Sequence, residues 1–93
     1  MILSFACRAT EAIFQDRQAP KFPPSIQATA RRKLLQLHLA QRLADLRIPP
    51  GNRLEALKDD RAGQHSIRVN DQWRICFCWT SNGIEDVEIV DYH

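Results

Sequence analysis

From Gln64 onward the apolar residues of this chain fall on every second position, and that period limits the fold more than any other feature. Ile67 and Val69 alternate with Ser66 and Arg68, and Trp73, Ile75, Phe77 and Trp79 alternate with Arg74, Cys76 and Cys78. Successive side chains of a strand point to opposite faces, so this pattern describes strands with one face in a core. Ile84 to Asp91 supplies a third strand. Asn70-Asp71-Gln72 and Ser81-Asn82-Gly83 are turn formers, short enough to join antiparallel neighbours. The expected unit is a meander of three antiparallel strands. A first turn centred near Asp71 sets Arg68 across from about Arg74. A second centred near Asn82 sets Arg74 across from about Val90.

The first half reads differently. Ile2 to Phe5 has the look of a short strand. Thr10 is a candidate N-cap for a short helix through Phe14, and Pro20, Pro23 and Pro24 end it with a stiff connector. Ser25 is a candidate cap for a long helix reaching about Leu46. At 100° per residue that helix carries two apolar stripes. Ile26, Ala30, Leu34, Leu37 and Ala44 form one; Leu35, Leu39, Leu43 and Leu46 form the other; Arg31, His38, Arg42 and Asp45 share a polar sector. One stripe has the sheet to cover it. The other needs the short helix or a partner protein. The proline-rich run Ile48-Pro49-Pro50-Gly51-Asn52 ends the helix, and a charged loop, Arg53 to Gly63, leads into the meander.

At 93 residues the chain is expected to be one domain, residues 1–93, with a modest core. The net charge of +2 says little, but basic residues crowd the centre, Arg31 to Arg74, and acidic ones the end, Glu85 to Asp91. A basic middle suits a phosphate-rich partner as well as it suits a solvated helix face. Cys7, Cys76 and Cys78 are odd in number, and one residue between the last two is too few for a normal disulfide within a strand. They read as thiols of a reducing compartment, and their spacing with the histidines fits no standard zinc site. No secretory leader and no membrane-length apolar run is present, so the expected location is cytoplasmic, with no membrane partner.

The register brings the chemistry to one end of the sheet. Arg68 and Arg74 share a face and could hold a phosphate with their guanidinium forks. Lys58 could add a point charge, Tyr92 a stacking face for a base, and Asp91 and His93 proton transfer near neutral pH. His93 is the last residue here, which adds a carboxylate. Asp91 and His93 have the opposite parity to Tyr92, so all three meet only if the tail bends. Each feature has a plainer reading: arginines paired with Glu88, a lysine in a solvated loop, a frayed end. None of the chemistry requires a metal or a cofactor.

At these residues the sequence resembles HigB-type toxins of the RelE superfamily, from bacterial type II toxin–antitoxin systems. Arg53 to Gly63, Ser66 to Phe77 and Val87-Glu88-Ile89-Val90-Asp91-Tyr92-His93 carry the likeness, and Met1 to Phe5 adds to it. The Trp-Arg-Ile strand followed by Asp-Tyr-His is its most specific part. The resemblance implies an α+β, RelE-like microbial-RNase-type fold, with two N-terminal helices packed on a small antiparallel sheet. It implies an endoribonuclease that enters the ribosomal A site and cuts mRNA. It also implies a helix-turn-helix antitoxin, through which alone the toxin would meet operator DNA. By motif position the implied site residues are Lys58, Arg74, Asp91, Tyr92 and His93, with Arg68 beside them on the phosphate. Two positions depart from the pattern. Glu55 stands where some members have a histidine, which makes it a possible proton carrier, and Asp59 stands where glycine is frequent.

The implied reaction is metal-free attack of the RNA 2′-hydroxyl on the adjacent phosphorus. Asp91 or His93 would act as base, and Arg74 and Lys58 would steady the developing charge. The alternatives are a non-catalytic module that blocks translation by occupying RNA or the ribosome, and an interaction protein that docks through the second leucine stripe.

Overall fold

A computed structural model describes residues 1–92, so His93 lies outside the described residues. Two helices, α1 (Arg8–Phe14) and α2 (Pro24–Leu39), precede four strands: β1 (Glu55–Ala56), β2 (His65–Arg68), β3 (Trp73–Trp79) and β4 (Ile84–Asp91). The strands form one antiparallel sheet in the order β1-β2-β3-β4. The expected three-strand meander is present, and β1 extends it at one edge. Two residues are too few to show a period, so β1 left no signal in the sequence.

Arg68 stands opposite Arg74, as the first turn predicts. Arg74 also stands opposite Val90, but the second turn pairs Trp79 with Ile84, and the expected Val90 register is reached only through a bulge. Both turns are tied by side chains. Asn70 Oδ1 accepts from the backbone N–H of Gln72 and Trp73 at 2.9 and 2.8 Å. Thr80 Oγ1 accepts from the N–H of Asn82 and Gly83 at 3.2 and 3.1 Å. These local acceptors offer the backbone a turn in place of a continued ladder.

Between Cys76 and Cys78 the β3–β4 register slips by a residue. The extra residue is Asp86, whose φ of +55° lies in the left-handed region. The bulge keeps Ile84, Val87 and Ile89 all buried, although Ile84 and Val87 are three apart.

The N-terminal segment runs parallel to β4 rather than forming a strand of its own. It is reduced to two isolated bridges, Ile2 with Ile84 and Phe5 with Val87, with Ser4 Oγ accepting from the Asp86 N–H at 2.9 Å. The left-handed Asp86 interrupts a continuous ladder there.

The helices depart from expectation at their ends. Pro24 occupies the first helical position and Pro23 the cap, so Ser25 lies inside α2; proline suits a first turn because its missing N–H has no intrahelical role there. Cys7, not Thr10, precedes α1, and Thr10 is buried with Oγ1 accepting from the Ile89 N–H at 3.0 Å. Helix α2 stops at Leu39 rather than Leu46. Asp45 accepts from the N–H of Gln41 and Arg42, both at 3.0 Å, and so starts a separate 3-10 turn over Leu43–Arg47. Those N–H bonds hold the Asp45 carboxyl below its usual pKa despite some desolvation.

The first stripe of α2 packs as expected: Ile26, Ala30, Leu34 and Leu37 join Ile67, Ile75, Phe77, Val87 and Ile89 in the core. The short helix does not cover the second stripe. It sits against the polar sector instead, where Arg31 Nε donates to the Ile13 carbonyl at 3.3 Å and Arg31 pairs with Asp16 at 2.9 Å. His38 contacts the Phe14 ring and accepts the Ile2 N–H on Nδ1 at 3.1 Å. Leu35 and Leu39 are left exposed.

Candidate functional site

A cleft of about 260 Å³ opens at the β2–β3 turn end of the sheet, lined by Arg53, Glu55, Arg68, Asn70, Asp71, Arg74 and Tyr92. Its floor is Arg74, only 7 % exposed. A buried guanidinium must have its N–H groups satisfied. Nε donates to Ser66 Oγ at 2.8 Å, and Nη2 donates to the Arg53 and Ser66 carbonyls at 2.5 and 3.3 Å. These acceptors are neutral, so the positive charge is oriented without a carboxylate in those bonds. The Tyr92 ring lies over the guanidinium, 5.7 Å from Cζ to the ring centroid.

Each neighbour is placed by its own element. Arg68 sits at the end of β2 opposite Arg74 and pairs with Asp71 in the turn. Glu55 is brought in by pairing with Ser66 on β2. Arg53 precedes it with φ +45°, a left-handed residue that turns its carbonyl toward Arg74. That turn is anchored by Asn52, fully buried, whose Nδ2 donates to the Leu46 carbonyl at 3.1 Å and to Gln36 Oε1 at 3.2 Å, and whose Oδ1 accepts from Lys33. Burial pushes the Lys33 amine below its usual pKa, and the positive charges of Arg32 and Arg68 push the same way. Lys33 therefore extends the positive field of Arg68 onto α2. Three arginines and one lysine against Glu55 and the already paired Asp71 make a site for an anion.

The predicted residues are thus only partly assembled. Arg68, Arg74, Tyr92 and Glu55 share the cleft. Lys58 is exposed beyond the far end of β1 and does not line it. Asp91 pairs with Trp73, whose ring packs edge-on to Phe22 on the helical side at 5.5 Å. Cross-strand partners share a face, so Asp91 points away from the cleft, where its Oδ2 accepts from Gln72 Nε2 at 3.2 Å. Asp91 and Tyr92 thus stand on opposite faces of the sheet, and the expected bend of the tail and the role of His93 fall on a residue outside the described ones. Glu88 pairs with Arg61 at 3.2 Å rather than with Arg68 or Arg74. Sequence reasoning missed Arg53, Ser66 and Lys33. A signal for Arg53 existed in the Pro-Gly-Asn turn before it, which sets a left-handed residue at the rim.

A larger hollow of about 380 Å³, lined by Leu43, Ala44, Arg47, Leu54, Ala56 and His65, contains none of the predicted site residues. Its lining is mostly apolar, and His65 Nδ1 is buried there without a hydrogen-bond partner among the described residues. The three cysteines are free, and among the described residues no cluster of three or more His, Cys, Asp or Glu is placed to hold a metal. Among the described residues no helix is long and apolar enough to cross a membrane.

Residues 3–93 match the family model of HigB-like toxins, described as the RelE-like toxin HigB of type II toxin–antitoxin systems. Over its whole length the chain is 44 % identical to Toxin HigB-1 of Vibrio cholerae, covering 98 % of that protein. An uncharacterised protein of Haemophilus influenzae is 33 % identical over 67 residues, 72 % of this chain and 66 % of that one. Among solved structures, a chain of the YoeB–YefM complex from Staphylococcus aureus is similar at a TM-score of 0.58 and 21 % identity, with 100 % of this chain and 95 % of that one covered. A heterotetrameric YoeB–YefM toxin–antitoxin complex from the same organism aligns equally well, at a TM-score of 0.58. These likenesses show the RelE-like fold.

Proposed function

The chain belongs to the HigB family of RelE-like toxins of type II toxin–antitoxin systems, and we propose that it is a ribosome-dependent endoribonuclease that cuts mRNA in the A site and is neutralised in the cytoplasm by a helix-turn-helix antitoxin. The observation that carries this reading is Arg74, buried and held by neutral acceptors beneath the Tyr92 ring. A fixed guanidinium next to a stacking face suits one nucleotide: phosphate on the charge, base on the ring.

In the proposed reaction the RNA 2′-hydroxyl attacks the adjacent phosphorus and the 5′-oxygen leaves. The products are a 2′,3′-cyclic phosphate and a 5′-hydroxyl. Charge grows on the non-bridging oxygens in the transition state, and Arg74, with Arg53 and Arg68 at the rim, offsets it without reorganising. Proton transfer falls to Glu55, which lines the cleft, and to His93 by its motif position. Asp91 acts on the other face by fixing the end of β4 through Gln72. Lys58, beyond β1, meets the RNA backbone farther along as a point charge. Ribosomal positioning of the mRNA supplies much of the rate, since holding reacting atoms in line contributes up to about 7–11 kcal/mol.

The test is to map mRNA 5′ ends after brief expression of the wild-type chain, Arg74→Ala and His93→Gln. New ends at codon-defined positions, absent in both variants together with growth arrest, are expected. Intact mRNA alongside arrested growth would favour the occupancy module, and full toxicity of both variants would overturn the nuclease reading.

A further inference from the structure

Of the expected second leucine stripe, Leu46 is buried in the core and Leu43 packs against it, while Leu35 and Leu39, the two that lie on α2, have no cover within the described residues. Leu35 is 50 % exposed and Leu39 67 %, and Ile48, after the 3-10 turn that follows α2, is 73 % exposed. Leu35 and Leu39 are four residues apart, so they project within about 40° of one another. The Ile48 backbone is tied to α2 because Gln36 Nε2 donates to its carbonyl at 2.5 Å, with Asn52 Nδ2 bonded to both residues. Leu35, Leu39 and Ile48 are thus three of the six large hydrophobic side chains that the described residues expose, two on one side of α2 and the third on the loop whose backbone is bonded to Gln36 of that helix. One residue before Ile48, at the end of the 3-10 turn, Arg47 rims the apolar hollow that Leu43 and Ala44 line.

Charge identifies what would sit there. Residues 25–53 carry six basic side chains against one acid, Asp45, a net of +5; of the six, Arg31 pairs with Asp16, Lys33 is bonded to Asn52 and Arg53 lines the cleft, which leaves Arg32, Arg42 and Arg47. The whole chain is only +2, so the remainder is −3. Arg32, Arg42 and Arg47 are exposed, Arg32 on the same side of α2 as the leucines by helical spacing, Arg42 in an ion pair with Asp45 at 3.4 Å and Arg47 next to Ile48 in the chain. A second copy of this face would bring like charges together. RNA would meet the arginines but gain nothing from three bare aliphatic side chains. An amphipathic protein segment with an apolar stripe flanked by Asp and Glu satisfies both features.

We propose that Leu35, Leu39 and Ile48 form the docking surface for an acidic amphipathic segment of the antitoxin. The proposal rests on the toxin reading above. The surface lies on the outer side of α2, whereas the Arg74 cleft is on the sheet face turned away from the helices. Docking here anchors the antitoxin without occupying the cleft.

The experiment measures affinity between the purified full chain and the purified protein encoded by the adjacent reading frame. Leu35→Glu with Leu39→Glu is expected to weaken binding about 100-fold or more, because each buried apolar anchor is replaced by a charge facing acids. Ile48→Glu alone, at the most exposed position, should weaken it about tenfold. Arg32→Glu with Arg47→Glu should slow association and flatten its salt dependence. All variants should keep the wild-type thermal transition and arrest growth, and the leucine variant should do so even when the neighbour is co-expressed. Affinity within threefold of wild type for both the leucine pair and Ile48→Glu overturns the proposal. So does loss of RNA affinity in those variants with neighbour binding retained. Failure of the wild-type chain to bind its neighbour overturns the antitoxin reading and this proposal together.

Discussion

The Arg74 guanidinium lies 5.7 Å from the centre of the Tyr92 ring while its Nε is bonded to Ser66 Oγ at 2.8 Å. The bulge at Asp86 produces this pairing. Beyond it, Val90 faces Arg74 and Tyr92 falls on the same side of β4; without the extra residue Ile89 and Asp91 would occupy that side. One left-handed residue thus decides whether the arginine meets an aromatic ring or a carboxylate.

Because geometry as well as charge is built into Arg74, lysine should not replace it. Arg74→Lys is expected to lower cleavage on programmed ribosomes by about 100-fold or more, close to Arg74→Ala. Ser66→Ala removes the Nε acceptor without touching substrate. It should cost roughly 1.5–3 kcal/mol of stability, because a buried charged donor loses its partner, and should lower the cleavage rate as the guanidinium drifts. Urea unfolding and single-turnover rates measure the two effects. Wild-type activity in Ser66→Ala would show that its bond does not position Arg74.

A second expectation separates the carboxylates. Glu55 lines the cleft and Asp91 faces the helices. Glu55→Gln should therefore lower the chemical step by about 100-fold or more. Asp91→Asn should act less on that step, and Glu55→His, with another proton carrier in the same place, should recover part of it. Glu55 is exposed, so the fold should survive. Single-turnover rates across pH measure this; a greater loss in Asp91→Asn would return the proton-transfer role to the C-terminal motif.

What could be read from the sequence follows from the range of the interactions. Alternation is local, so the strands and the Arg68–Arg74 register were legible from a period of two and the first turn, whereas the expected Arg74–Val90 pairing came out because the bulge offset a second turn centred half a residue earlier than Asn82. The buried stripe of α2 was legible for the same reason. The end of α2 was not: no glycine or proline marks Leu39, and the stop depends on Asp45 reaching back to Gln41 and Arg42. Neither was the bulge, whose Asp86 N–H bonds to Ser4 at the other end of the chain. Arg68 and Arg74 were found as charges, but the acceptors that orient Arg74, a serine and two carbonyls, carry no charge pattern to find.

Asp45 should also leave a mark on acid stability. Its folded pKa is held below the ordinary value of 3.8, so its stabilisation is fully present above that pH and is lost as pH falls through the folded value. Asp45→Asn should be less stable than wild type at neutral pH, and the difference should shrink toward zero in acid. Paired urea titrations at neutral pH and near pH 2 measure it; a difference independent of pH would mean that the carboxylate's charge contributes nothing to the cap.

Asp59 offers a test of backbone strain at the family's frequent glycine. Its φ is +55°, a conformation that costs an L side chain roughly 1 kcal/mol or more but costs glycine nothing. Asp59→Gly should be neutral to stabilising by up to about 1 kcal/mol, the gain being reduced by the freer unfolded chain. Thermal melts measure the change. Since residue 59 lies outside the cleft, cleavage by the variant should match wild type.

Gly83 should tolerate no side chain, for a reason that reaches the N-terminus. Its φ is +149°, and a Cβ there would lie 2.7 Å from Leu3 Cγ and 2.9 Å from the Met1 carbonyl oxygen. That carbonyl accepts the Ile84 N–H at 2.9 Å, so it cannot retreat without breaking the bond that holds the N-terminal segment to β4. Gly83→Ala should therefore cost about 1–3 kcal/mol. Adding Leu3→Ala should recover only part of this, because the clash with the backbone oxygen persists. Amide exchange should quicken at Leu3 and Ala6, which donate to Ile84 and Val87. The Arg74 cleft is at the opposite end of the sheet, so cleavage by the folded fraction should be unchanged. A fall in that rate would mean that the N-terminal segment supports the cleft as well as the edge of β4.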